Sequence, residues 1–131
     1  MADVRNSTPL IALDAIVFDT ETTGLDPRKA RILEIAAVRL DACKPAAVGS
    51  FRSLVNPGES IPSSATQIHG IDAAAVAGAP PFADVWAEFS RYWGGAVLIG
   101  HTVAFDLAML SRECERAGLP WRPPPTLCTR L

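Results

Sequence analysis

The sequence predicts an α/β protein, with a mixed sheet flanked by helices. Two patterns predict it. Three apolar, β-branched runs come first and follow one another closely, as in an antiparallel meander. After Asn56 the apolar positions recur at helical spacing and alternate with short strand-like runs, as in parallel helix–strand units. A length of 131 residues fits one domain. Hydrophobic residues make up 49% and charged residues 20%, which suits a packed chain rather than a disordered one.

Residues 1–10 read as a flexible leader and 11–131 as the folded unit. Ala15–Asp19 is a near-continuous apolar strand, suited to the middle of a sheet. Thr22–Lys29 is a loop punctuated by Gly24 and Pro27. Arg31–Leu40 is a second strand, Asp41–Pro45 a turn, and Val48–Val55 a third strand. Asn56–Pro62 is a loop. Ser63 or Ser64 then caps a short helix through Ile68 that Gly70 ends, and Asp72 caps another over Asp72–Ala77. After the Ala79-Pro80-Pro81 break, Phe82, Val85, Trp86, Phe89 and Trp93 fall at helical spacing and form one core-facing stripe. Gly94-Gly95 ends that helix, and Ala96–Ile99 is a short buried strand. A turn at Gly100-His101-Thr102 leads into a helix over Val103–Ala117, with Leu107, Leu110 and Cys114 as its buried stripe and Gly118 and Pro120 as its stop. Pro123–Pro125 is a rigid link, and Thr126–Leu131 begins a fifth strand.

A net charge of −2 argues against a general basic nucleic-acid binder, whose affinity comes from neutralising phosphates. It leaves room for a protein that grips one strand end through metal ions. Most of the positive charge is Arg, which suits phosphate contacts, although a solvated surface is the more ordinary use. Cys43, Cys114 and Cys128 are scattered and lack a Cys-x-x-Cys pair, so reduced thiols and a cytoplasmic location are expected. The polar start, Met1–Pro9, and the apolar stretch cut by Asp14 give neither a signal peptide nor a membrane span.

The chemistry centres on "IVFDTETTGLD", Ile16–Asp26. Side chains alternate along a strand, so Asp19 and Glu21 share one face, with Cα atoms about 7 Å apart. Like charges held that close repel, and a divalent metal makes them compatible; oxygen ligands suit Mg²⁺ or Mn²⁺. A lone Asp-x-Glu is common, but Asp106 lies in the first turn of the helix after a second strand. Ligands of open α/β sheets gather at the carboxyl ends of strands, so parallel neighbours would bring all three acids together.

Three stretches carry a family resemblance: "FDTETTG" (Phe18–Gly24), "LVNPGESIPSSATQIHGID" (Leu54–Asp72) and "GHTVAFDLAML" (Gly100–Leu110). The first and last resemble the first and second motifs of the DnaQ-like, or DEDD, 3′–5′ exonucleases. The middle one is similar to the branch containing the epsilon subunit of bacterial DNA polymerase III. The resemblance implies a ribonuclease-H-like fold and a two-metal site of Mg²⁺ or Mn²⁺, with Asp19, Glu21 and Asp106 as metal ligands and catalytic residues. It implies that Thr23, Gly24, Leu25, His69 and Phe105 hold a terminal nucleotide. Without it, His69 reads as an ordinary helix-end histidine, and Phe105 is divided between base stacking and core packing. The implied partners are the 3′ end of single-stranded or frayed DNA, with RNA as the alternative, and a DNA polymerase subunit. The implied product is a nucleoside 5′-monophosphate.

The sequence also departs from the family. A fourth Asp and a general base, His or Tyr, are expected on a late helix, yet no Asp, His or Tyr follows Asp106. Only Glu113 and Glu115 remain as acids there. His101 and Asp106 mimic the spacing of the missing motif, but Val103 stands where that motif has Ala. Thr102 stands where the second motif more usually has Asn. The expectation is an exonuclease domain truncated before its last strand and helix, weak or inactive by itself, with one side of the sheet uncovered. The alternative is a non-catalytic nucleic-acid-binding or polymerase-docking module.

Overall fold

A computed structural model describes residues 14–41 and 44–130, with backbone alone for Asp41 and for 44–48. The leader expected over 1–10 lies outside the described residues. Five strands form one sheet: β1 (Ala15–Thr22), β2 (Ile32–Asp41), β3 (Lys44–Leu54), β4 (Val97–Gly100) and β5 (Thr126–Cys128), in the order β3-β2-β1-β4-β5. The β1–β2 and β2–β3 pairs are antiparallel, and the β1–β4 and β4–β5 pairs are parallel. This is the expected meander with parallel strands added. β1 lies at the centre, as its apolar run predicts.

The helices are α1 (Ser63–His69), α2 (Ala73–Val76), α3 (Phe82–Trp93) and α4 (Val103–Ala117). α3 and α4 cover one face of the sheet. There Ile16, Phe18 and Leu98 meet Phe82, Val85 and Phe89 of α3 and Met109, Leu110 and Cys114 of α4. Trp86 and Trp93 of the expected aromatic stripe are only partly buried against this core, and Leu107 of the expected α4 stripe is likewise half-buried. The other face carries a small cluster of Ala15, Val97 and Ile99, while Val17 and Val38 remain about two-fifths exposed.

Several boundaries differ from expectation for identifiable reasons. β1 runs on to Thr22, because Asp19, Thr20 and Glu21 pair with Ala36, Ile35 and Glu34 of β2. The acids thus lie within the strand rather than beyond its end. A register shift follows Glu21, since Thr22 pairs with Ile32 and Leu33 is left over, a bulge that sharpens the local twist. Neither Ser63 nor Ser64 caps α1. Pro62 occupies the cap position and gives no side-chain hydrogen bond, because its hydrocarbon ring has no oxygen to accept from the first-turn amides. The Asp72 cap is as expected and accepts from the Ala75 amide at 2.9 Å. β2 and β3 reach further into the expected turn, to Asp41 and from Lys44, and Cys43 lies outside the described residues. β5 is limited to Thr126–Cys128 and is exposed.

Candidate active site

β1 sends its side chains two ways. Phe18, Thr20 and Thr22 are buried on the helix-covered side; Val17, Asp19 and Glu21 alternate with them and are exposed or half-buried. Asp106 comes from the first turn of α4, and its carboxylate is buried on the helix side. There the Thr20 hydroxyl donates to Asp106 Oδ1 at 2.5 Å. The residue between the two acids thus holds the third.

Charge links them all the same. Burial is the main cause that raises Asp106 to about 6, the Thr20 bond opposes it, and the nearby Asp19 raises it further. Glu21 is also raised, first by partial burial and then by Asp19, with His69 opposing and Glu34 adding to the repulsion. Asp19 therefore acts on both other acids. Among the described residues, no group of three His, Cys, Asp or Glu side chains is placed to hold a metal ion. The donor chemistry nevertheless fits a hard divalent cation. The donors are carboxylates from two adjacent elements, and their mutual repulsion is what such a cation relieves.

Glu34 is a participant that sequence reasoning missed. It stands directly opposite Glu21 in the β1–β2 ladder and accepts from Arg52 Nε at 2.8 Å. The signal was an acid inside an otherwise apolar strand, "ILEIAAV".

The turn after β1 holds the expected nucleotide-binding residues. Thr23 is buried; its amide donates to the Arg31 carbonyl, and its Oγ1 accepts from the Arg31 amide, both at 2.9 Å. Gly24 offers its carbonyl to the Thr22 hydroxyl at 2.7 Å. A Cβ at Gly24 would meet only Ala30 Cβ at 3.9 Å, so packing within the protein does not demand glycine there. Leu25 projects outward and is 87% exposed. It borders a cavity of about 290 Å³ with Lys29, Glu59 and Pro62.

His69 ends α1 and ties it to β1. Its Nδ1 accepts from the Ile71 amide at 3.1 Å, which leaves Nε2 carrying the hydrogen that it donates to the Thr22 carbonyl, also 3.1 Å away. With both nitrogens engaged by backbone, the ring offers a ligand its face and edge. Ile68 beside it is 83% exposed and was not singled out from the sequence. Phe105 is half-buried, packed in part against the main core. His101 is exposed, lies 3.4 Å from Thr129 Oγ1, and is not aimed at Asp106.

α4 starts from an unusual backbone. Thr102 has φ 55° and ψ 48°, the left-handed region, and makes no capping hydrogen bond. A β-branched residue there is strained, whereas Asn tolerates it. That gives the Thr-for-Asn departure its physical cost. Gly100, just before, cannot gain a side chain easily, because a Cβ would lie 3.1 Å from Val103 Cγ2 and 3.4 Å from Phe18 Cε1.

The family model described as Exonuclease matches residues 16–131. The chain belongs to the exonuclease family. An epsilon-like DNA polymerase III subunit protein of Rhodobacter capsulatus is 48% identical over 107 residues, covering 81% of this chain and 15% of that protein. The DNA polymerase III epsilon subunit of Treponema pallidum is 36% identical, covering 78% of this chain and 48% of its own length. Exonuclease X, solved in complex with 5′ overhanging duplex DNA, superposes with a TM-score of 0.67 at 31% identity, covering 88% of this chain and 59% of that one. Exonuclease I in its apo form superposes at 0.76 with 18% identity, covering 88% of this chain and 29% of that one, a likeness of fold. The chain thus spans less than two thirds of these relatives. This exonuclease domain has the ribonuclease-H-like α/β fold and epsilon-like relatives. Its described helices include none long and apolar enough to cross a membrane.

Proposed function

We propose that this exonuclease domain removes nucleoside 5′-monophosphates from DNA 3′ ends in a metal-dependent reaction. What supports the reading is the match of the exonuclease family over residues 16–131, together with Asp19 and Glu21 on one face of β1 and Asp106 in the first turn of the helix that follows its parallel neighbour β4. Asp19, Glu21 and Asp106 would hold Mg²⁺ or Mn²⁺. Bound there, the cations supply charge that activates the attacking water and stabilises the leaving oxygen. Thr23 and Gly24 present backbone to the terminal nucleotide. Leu25 packs against its base or sugar, and Ile68 and His69 at the end of α1 add to that contact. The names of the relatives support DNA over RNA and a DNA polymerase subunit as partner.

The residues named above hold and orient a substrate, and none of them takes the part of a general base. General-base help is worth about 10²–10⁴ in rate, and the 131-residue chain is accordingly slow. A different observation favours a second reading, a non-catalytic module that binds nucleic-acid ends: among the described residues no three acid or imidazole side chains are placed to hold a metal ion.

A gel assay with a 5′-labelled single-stranded oligonucleotide tests both readings. Slow shortening from the 3′ end is expected with Mn²⁺. EDTA, a blocked 3′ terminus or Asp19→Ala should each stop it, and an RNA strand of the same sequence should be the poorer substrate. Mn²⁺-dependent end binding without any shortening would favour the module. Neither binding nor cleavage would sink both.

A further inference from the structure

Glu113 is the one acid of α4 that is fully buried apart from Asp106, and the proposed chemistry does not use it. It lies seven residues after Asp106, two helical turns along the same face. Its Oε1 accepts from Arg31 Nε at 2.6 Å and from Arg116 Nη1 at 3.0 Å, and its Oε2 accepts from the Ile32 amide at 3.3 Å. With both oxygens committed, it is not free to ligate a metal ion.

The two arginines lead to the turn after β1. Arg116 donates to the carbonyls of Ala30 at 2.9 Å, Arg28 at 3.0 Å and Pro27 at 3.4 Å. Arg31 exchanges two hydrogen bonds with Thr23, amide to carbonyl and amide to hydroxyl, each at 2.9 Å. Both ends of the Thr23–Ala30 loop therefore rest on one buried carboxylate. Its middle, Leu25, touches little and stands in solvent. A buried ion pair is a weak source of stability, because desolvation offsets most of the attraction; well-packed apolar groups would serve a mere core as well. What this one supplies is a fixed loop.

We propose that Glu113 is a positioning residue. Through Arg31 and Arg116 it holds Thr23, Gly24 and Leu25 in the shape that receives a terminal nucleotide, while Asp106 on the same helix is bonded to Thr20, the residue between Asp19 and Glu21. The proposal deepens the end-binding reading above and rests on it for the identity of the ligand. One helix thus sets the distance between the acids and the nucleotide loop, and small displacements of such a loop are costly in rate.

Glu113→Gln keeps the size of the side chain and removes its charge. Arg31→Met leaves Glu113 with Arg116 and the Ile32 amide, and serves where the first variant fails to fold. Two measurements are made on each: amide hydrogen exchange, and calorimetric binding of thymidine 5′-monophosphate with and without Mn²⁺. The Thr23 and Arg31 amides should exchange about tenfold faster and nucleotide affinity should fall about tenfold, a decade on the binding scale. Exchange in the centre of β1 and affinity for Mn²⁺ alone should not change. Unchanged nucleotide affinity with unchanged Thr23 exchange would overturn the proposal, as would uniform acceleration through β1 with equal loss of Mn²⁺ binding, the mark of general destabilisation. If the wild-type chain binds no nucleotide, the end-binding reading fails. Exchange at Thr23 and Arg31 then decides whether Glu113 fixes the loop: acceleration supports it and constancy overturns it.

Discussion

Thr20 and Asp106 are joined by a 2.5 Å hydrogen bond from the threonine hydroxyl to Oδ1 of the carboxylate. The bond crosses from the central strand to the first turn of α4. It gives a buried carboxylate a donor and lowers the cost of its charge. Thr20→Val keeps the shape and removes the donor. Unfolding free energy near neutral pH should drop by about 1–3 kcal/mol, the penalty for a buried group left unsatisfied. The loss should shrink in acid, where Asp106 is protonated. Urea titrations at the two pH values measure it, and equal losses at both would argue that the hydroxyl serves something other than this carboxylate.

The pH dependence of the wild-type chain follows from the same group. Burial first, and Asp19 after it, raise Asp106 to about 6 from an ordinary 3.8. The native state therefore holds a proton that the unfolded state has lost between those values. Stability contributed by this group is highest at the acidic end and falls as pH rises through about 6. Without divalent metal, Asp106→Asn should abolish that slope and exceed wild type in stability at about pH 8, with the two converging at about pH 4. A slope of the same size in the variant would assign the proton elsewhere.

How far the sequence foretold this site depends on the residue. The antiparallel meander and the central place of β1 were legible from the spacing and apolar runs of the first three strands, whereas the pairing of β1 with β4 was open until the fold showed it. Asp19, Glu21 and Asp106 stood out through their motifs. Thr20 did not, because a threonine between two acids reads as a spacer until the pleat turns it toward α4. Glu113 reads as a solvated helix acid, and nothing local reveals an arginine 82 positions earlier in the chain facing it at 2.6 Å. Glu34 was hidden in the same way, since its neighbour Glu21 is set by strand register. Pairings between distant segments are what a single sequence leaves unstated.

Thr102 should be a site of recoverable stability. Its φ of 55° costs a β-branched residue about 1–2 kcal/mol. Thr102→Asn should raise unfolding free energy by about 1 kcal/mol, because asparagine accepts the left-handed region. Thr102→Val should give no gain. Thermal melts of the three chains check this, and a fall in melting temperature for the asparagine variant would show that the threonine is held there by compensating contacts.

Metal should stabilise the acids. A cation that binds the native state at a hundredfold excess over its Kd adds about 2.7 kcal/mol. A clear rise in melting temperature with Mn²⁺ is expected for wild type, with little or none for Asp19→Asn. Equal rises in both would mean that the ion binds away from Asp19.

Leu25 separates binding from folding. At 87% exposure it contributes little to the fold, so Leu25→Ala should change stability by no more than about 0.5 kcal/mol. Burying a leucine side chain against a ligand is worth about 1.5–3 kcal/mol, of which alanine keeps a part. Affinity for a 3′-terminal nucleotide should therefore fall about tenfold while the melting temperature stays put. Ile68→Ala, on the neighbouring helix end, should behave in the same way. Fluorescence anisotropy with a 5′-labelled oligonucleotide, in Mn²⁺ and with the 3′ end free or blocked, reads the effect. The free end should discriminate wild type from Leu25→Ala, and the blocked end should not. If both oligonucleotides bind both chains equally, the exposed leucine does not receive the strand terminus, and the contact must be sought elsewhere along the loop.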